Sequence, residues 1–259
     1  MKEITITKDN GTTHRLINEN FFNVPDVKCD LVLNDPPFGV TAQQWDKVVD
    51  FKEMWKWLEE AKKDKNHTPI LMFSSAKFTP QLQVSNFKDY KYSWVWKKNI
   101  ATNFLNSNKM PLRAIESVNV FYKKLPYYNP QKSEGHKPTN SAKGRSHGNL
   151  YHGENVREYE GGDTTRFPTE LLEFDVVKDK DRIHSNQKPI ELLRYFIRTY
   201  TKEGDTVLDF TAGSFSTSIA AYLEGRNSIC IEMDTKQYNK SVEWVKHCRE
   251  DDWYKIEEA

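Results

Sequence analysis

The chain has 259 residues, 38 lysines and arginines against 37 aspartates and glutamates, and three cysteines. That length suits one large α/β domain, or a core with a smaller insert. No apolar stretch reaches membrane-spanning length, no apolar signal core opens the chain, and Cys29, Cys230 and Cys248 lack the spacing of a Cys-x-x-Cys or a zinc site. These features argue against a membrane protein, a disulfide-stapled secreted domain and a zinc module, and they predict a cytoplasmic protein with no metal.

The near-zero net charge hides an asymmetry. From Lys88 to Arg145 there are twelve Lys/Arg and three Asp/Glu, a local +9, so the remainder carries −8. A basic excess of this size favours contact with a polyanion, the alternative being a solvated face.

In chain order, Ile4 to Thr7 alternates like a short strand. Asp30 to Asn34 is a continuous apolar run ending in turn residues, as in a buried parallel strand. Residues 48–62 read as a helix with Val49, Met54, Trp57, Leu58 and Ala61 on one face. Pro69 to Phe73 reads as a strand, Ala76 to Phe87 as a segment containing a helix, and Tyr92–Trp96 and Ser117–Tyr122 as strands. Pro126 to Gly162 holds six of the eleven glycines and reads as loop. Order returns near Glu170–Phe174. A helix follows Pro189, with Leu192, Leu193, Phe196, Ile197 and Tyr200 as its stripe. Then come strand Thr206–Asp209, helix Thr217–Leu223 capped by Gly225, strand Ser228–Ile231 and a final helix over Thr235–Arg249. Strands alternating with helices imply an α/β fold with a doubly wound, mostly parallel sheet.

Two segments carry chemistry. Asp209-Phe210-Thr211-Ala212-Gly213-Ser214 runs from a strand into a tight turn of mostly small residues before a helix, where a nucleotide-like ligand can approach the backbone. Glu232, ending the next strand, is placed to accept ribose hydroxyls. The dinucleotide pattern Gly-x-Gly-x-x-Gly is absent, so a cofactor without phosphates fits better, S-adenosylmethionine being the common one. A plain packing turn is the alternative. The second segment is Asn34-Asp35-Pro36-Pro37-Phe38-Gly39. Its prolines fix φ and remove two backbone donors. The Asp35 carboxylate and Pro36 carbonyl can each accept an N–H of an exocyclic amine, freeing its lone pair, while Phe38 stacks on the base.

Here the chain resembles the amino DNA methyltransferases with an Asp-Pro-Pro-Tyr/Phe loop, in their permuted (β-type) group, many of them from phages or restriction–modification systems. The similarity also runs through Trp45-Asp46, Met54 to Trp57, Phe73-Ser74-Ser75, Trp94 to Asn99, Asn103 to Asn106, Lys109 to Arg113 and His184-Ser185-Asn186-Gln187-Lys188-Pro189. The resemblance implies a permuted S-adenosylmethionine-dependent methyltransferase fold: a catalytic half over 1–125, a target-recognition insert over 126–183 and a cofactor half over 184–259. It implies methyl transfer to adenine N6 of a flipped base in double-stranded DNA. Cytosine N4, an inactive DNA-binding protein, and an RNA or protein amide substrate remain alternatives. Asp35, Pro36, Pro37 and Phe38 are the implied catalytic residues. Asn20, Lys188, Asp209, Phe210, Thr211, Gly213, Ser214 and Glu232 are implied to hold the cofactor. Lys97, Lys98, Lys109, Arg113, Lys123, Lys124 and Arg145 are implied to meet DNA, and Tyr127, Tyr128, Trp45 or Phe104 to fill the gap left by the base. A monomer or homodimer, with any restriction nuclease on a separate chain, is expected.

Three positions depart from the family pattern. Phe215 stands where a second loop glycine is usual, and a bulky residue is disfavoured at positive φ, which predicts an altered turn or weakened cofactor binding. Asn20 stands for an aspartate, and Ser185-Asn186 for Pro-Thr.

Overall fold

The computed structural model describes residues 1–39, 48–146, 155–159 and 161–247. Trp45 and Asp46, the end of the expected final helix and Cys248 lie outside them. The chain divides into two compact units, Met1–Asn129 with the chain from Glu170 onward, and Pro130–Thr169.

The large unit is built on a nine-stranded sheet. Its elements are β1 (Lys2–Thr7), β2 (Thr13–Asn18), β3 (Leu31–Asn34), α1 (Phe51–Ala61), β4 (Ile70–Ser74), α2 (Phe78–Ser85), β5 (Tyr90–Thr102) and β6 (Arg113–Phe121). The small unit holds β7 (Ala142–Ser146) and β8 (Asn155–Tyr159). After it come β9 (Leu171–Glu173), α3 (Ile190–Tyr200), β10 (Thr206–Asp209), α4 (Ser216–Leu223), β11 (Asn227–Glu232) and α5 (Thr235–His247). The sheet order is β1-β2-β11-β10-β3-β4-β6-β5-β9. All its strands run one way except β1 and β6.

Both faces of the sheet are covered, which explains why the middles of its central strands are apolar on both sides, with polar residues at their ends. Leu31, Leu33, Leu71, Phe73, Val207 and Cys230 face one core with Phe196, Ile219 and Tyr238 of α3, α4 and α5. Val32, Ile70, Met72, Leu208, Ile229 and Ile231 face the other, with Met54 and Leu58 of α1 and Phe78 and Leu82 of α2. Each fully buried side chain contributes about 1.5–3 kcal/mol. The helices follow local signals. The Asp50 side chain accepts from the Glu53 amide at 3.0 Å and starts α1, while Pro189 precedes α3, whose expected stripe is wholly buried.

The register places the site. Val207 pairs with Leu31 and Leu208 with Val32, so the carboxyl ends of β10 and β3 emerge side by side. From β3 the chain crosses by α1 to β4 on one side; from β10 it crosses by α4 to β11 on the other. Such a switch point leaves a crevice between the two loops.

Some elements differ from the sequence expectation. β2 is absent from the expected elements, because its polar ends (Thr13, Asn18) and inward His14 mask a strand that pairs with β1 and β11. The stretch read as loop contains the antiparallel pair β7–β8, whose Ala142-Lys143-Gly144-Arg145-Ser146 sequence shows no apolar alternation. The small unit is narrower than the 126–183 segment, since β9 joins the main sheet beside β5.

Candidate active site

A cavity of about 790 Å³ opens at the β3–β10 switch point, within the few-hundred to ~1,000 Å³ range of small-molecule sites. Asp35, Pro36, Pro37, Phe38, Asn20, Lys188, Asp209, Phe210, Thr211, Gly213, Ser214 and Glu232 all line it. Residues far apart in sequence thus meet in one place.

The two loops are tied by Asn34. Its buried Oδ1 accepts from the amides of Phe210 (2.9 Å) and Thr211 (3.1 Å) and from the Thr211 hydroxyl (3.1 Å). The same hydroxyl lies 3.1 Å from the Asp35 carbonyl. The Asn34 Nδ2 is buried with no hydrogen-bond partner among the described residues. An unpartnered buried donor is costly, and here it accompanies the turning of Oδ1 toward three donors of the Asp209 loop.

Asp35 receives a hydrogen bond from the Lys188 ammonium. That ammonium lies 3.5 Å from Glu116, which is paired at 3.0 Å with Lys98. Burial works against the Lys188 charge, but Asp35 and Glu116 outweigh it and hold the ammonium above its usual value. Phe38 stacks on Phe78 at 5.0 Å between centroids, which fixes its ring.

On the other side, Asp209 is buried with no cation paired to it among the described residues. Burial pushes its carboxyl up to about 7, against hydrogen bonds from the Thr217 hydroxyl at 2.6 Å and the Thr211 amide. Glu232 is raised by burial too, and accepts from the amides of Gly213 (2.9 Å) and Asp234 (2.7 Å). The Gly213 carbonyl accepts from Ser241 at 2.7 Å. Gly213 has φ +51°, and a Cβ there would meet the His184 ring at 3.4 Å, so a side chain would be strained and crowded. The Asn20 Oδ1 accepts from the Phe22 amide and caps a short turn beside the cavity. Phe22 and Met233, both exposed, give the cavity an apolar rim.

At Phe215 the structure corrects the expected change of turn. The residue takes the left-handed conformation itself, φ 61° and ψ 23°, so the turn is kept. Its ring is fully buried against Tyr238, 5.7 Å between centroids, in the core rather than in the cavity. The strain, about 1–2 kcal/mol, is offset by burial of an aromatic ring, worth more.

The cationic residues assigned to DNA separate. Lys97, Lys98 and Arg113 lie on β5 and β6 toward the edge where Asp35 emerges, and Lys109 lies between those strands. Lys98 is a correction: it is buried and ion-paired with Glu116, so it presents no charge to a phosphate. Lys123 and Lys124 are also corrected. They follow Phe121, which pairs with Ile70 at the opposite edge, and Lys123 is bonded to Glu59 of α1. The side chain of Arg145 lies outside the described residues. Tyr128 packs edge-on to Tyr200 at the far end of α3, about 16 Å along the helix from Lys188, and Tyr127 lies under Lys202 there. Neither is placed to fill a gap beside Asp35. Phe104 is exposed in the turn between β5 and β6.

Sequence comparison adds the family. A family model described as DNA methylase matches residues 29–243. The chain belongs to this N6/N4 DNA methylase family. Within it, the chain is 39% identical over 83 residues to the type II methyltransferase M.BglI of Bacillus subtilis. That match spans 31% of this chain and 24% of the relative. Among solved structures, M1.HpyAVI in complex with SAM aligns with a TM-score of 0.60 at 18% identity, over 88% of this chain and 97% of that one. The cytosine-N4-specific PvuII DNA methyltransferase aligns with a TM-score of 0.60 at 16% identity, over 93% and 89%. These two likenesses show the fold, an α/β methyltransferase-type sheet.

Sequence reasoning missed three contributors to the site of this family member. Thr217 holds Asp209, Ser241 holds the Gly213 carbonyl, and Glu116 holds Lys188. Glu116 had a signal: it is one of three acids in a basic stretch and alternates with the inward Val118 and Val120. Among the described residues, no group of three or more His, Cys, Asp or Glu is placed to hold a metal, and no helix is long and apolar enough to cross a membrane.

Proposed function

We propose that this chain transfers a methyl group from S-adenosylmethionine to an exocyclic amino group in double-stranded DNA, adenine N6 being the first choice of base. The observation that carries this reading is the joining of the Asp35 and Asp209 loops through Asn34 at one cavity. Residues suited to the cofactor are in place. Glu232 suits ribose hydroxyls, Asp209 suits a cationic amine, and Phe22 and Met233 offer apolar surface to a nucleobase. When bound, S-adenosylmethionine supplies a methyl group activated by its sulfonium charge.

The chain's own part is binding and polarisation. The Asp35 carboxylate accepts one N–H of the target amine and draws its lone pair out of ring conjugation. The Pro36 carbonyl accepts the other, and Phe38, fixed by Phe78, stacks on the flipped base. The edge of β5 and β6 with Lys97, Lys109 and Arg113 is the phosphate-contacting side. The small unit, within the segment read as target recognition, is assigned base contacts. The catalytic loop preceding the cofactor loop accords with the permuted order. The first choice of adenine rests on the acidic start of the Asp35 loop; the likeness to a cytosine-N4-specific enzyme keeps cytosine as the second.

Nucleoside mass spectrometry on DNA from a methylation-deficient host expressing the chain tests this. N6-methyladenine, absent with Asp35→Ala, is expected. N4-methylcytosine would keep the site and change the base. Neither mark, from folded protein, would sink the proposal.

A further inference from the structure

Lys98 and Glu116 stand on neighbouring strands of the sheet, β5 and β6, with Glu116 opposite Trp96. Their strand mates Trp94, Trp96, Val118 and Val120 are buried apolar residues. Burying a lysine–glutamate pair among such neighbours is poor stabilisation, since apolar side chains of similar volume usually serve as well. The pair therefore calls for another explanation, and its contacts supply one. Lys98 is 3.0 Å from Glu116, Glu116 is 3.5 Å from Lys188, and Lys188 donates to Asp35. The signs alternate and sum to zero.

We propose that Glu116 and Lys98 are positioning residues for methyl transfer: with Lys188 they form a buried chain of alternating charges that keeps Asp35 ionised and aimed. The inference rests on the reading of Asp35 as acceptor for the target amine. Asp35 must be a carboxylate to accept that N–H. In a site shielded from water its charge needs a cation, which is Lys188. Lys188 is itself largely buried and donates to one Asp35 oxygen, so a second anion at 3.5 Å offsets the rest of its charge and keeps it from drawing further onto Asp35. Glu116 is that anion, and Lys98 keeps Glu116 charged. Burial raises the Glu116 carboxyl, but Lys188 and Lys98 outweigh it and hold it below its usual value. The other groups facing this chain are few. The Phe73 ring on β4 lies 5.0 Å under the Lys188 ammonium, His184 is pushed toward its neutral form by burial and by Lys188 and Lys240, and Asp209, raised to about 7 by burial, adds a partial negative charge beside Asp35 at neutral pH.

The test combines lysine-ammonium 15N NMR, which needs no substrate, with steady-state kinetics on DNA. The wild-type chain should show ammonium signals of Lys98 and Lys188 protected from exchange, assigned by loss in Lys98→Met and Lys188→Met and told apart in this way from the buried, Glu59-paired Lys62. In Glu116→Gln the Lys188 signal should titrate at lower pH. Its kcat should fall about 100-fold, the loss typical of a misplaced catalytic group, with the alkaline limb of its pH profile moved down and the cofactor Kd near wild type. Glu116→Asp, kept for the case that Glu116→Gln does not fold, should recover part of kcat. The double variant Lys98→Met/Glu116→Gln restores neutrality without restoring the hold on Lys188, so its kcat should stay low. A Lys188 titration unmoved by Glu116→Gln would overturn the inference, as would wild-type kcat in the double variant. A wild-type chain that methylates no DNA while its Lys188 titration responds to Glu116→Gln would sink the functional reading and leave the charge chain standing.

Discussion

Asp35 and Asp209 stand at the carboxyl ends of neighbouring strands and line the same cavity, yet their surroundings are opposite. Asp35 has a lysine ammonium on it, backed by a second acid and a second lysine. Asp209 has a threonine hydroxyl and an amide, and burial pushes it up to about 7. The difference teaches that one cavity can divide two tasks by environment alone. A carboxylate that accepts hydrogen bonds from a neutral amine must be charged beforehand, so it comes with its cation. A carboxyl whose partner is a cationic ligand can stay near neutral until that ligand arrives.

The comparison can be broken at either end. Asp35→Asn, which keeps the shape and removes the charge, should lower kcat by about 100- to 1,000-fold while cofactor binding by equilibrium dialysis stays near wild type. Unchanged turnover would mean that the charge of Asp35 is not what the lysine chain serves. Lys188→Met leaves Asp35 and Glu116 buried without their shared cation and should destabilise by about 3–5 kcal/mol in urea melts. Phe215→Gly asks whether the Asp209 side is held by packing instead of charge. It relieves about 1–2 kcal/mol of backbone strain and loses a buried ring worth about 3–5 kcal/mol. A net loss is expected, and a raised melting temperature would refute the packing account.

A further effect is a slope with pH. The Asp209 carboxyl is raised from 3.8 to about 7 on folding. Its contribution to stability is therefore present below about pH 4 and lost as pH rises toward 7, because the folded form must then hold a buried charge. Asp209→Asn should flatten that decline in urea titrations between pH 4 and 7. An identical slope in both proteins would show that other groups set it.

Both loops were legible because each needs an uncommon local combination: consecutive prolines after an apolar strand, and a small-residue turn between a strand and a helix. The doubly wound sheet was legible from its uninterrupted apolar strands. What the sequence concealed was pairing at a distance. Lys98 looked like one more cation in a basic run, although it alternates with the buried Trp94 and Trp96 and so faces inward. Lys123 and Lys124 looked close to Lys97 along the chain, but an antiparallel hairpin sends them to the other edge of the sheet. Phe215 was judged on its backbone alone. The steric rule was sound, but the ring's place in the core outweighs it.

Asn34 has one further consequence. Its side chain gathers three donors from the Asp209 loop, while its own backbone leads into the Asp35 loop. A shift on either side reaches the other through that amide and through the Thr211 hydroxyl on the Asp35 carbonyl. The occupancies of the two halves of the cavity are then thermodynamically linked, and linkage is reciprocal: by whatever factor one ligand tightens the other, it is itself tightened.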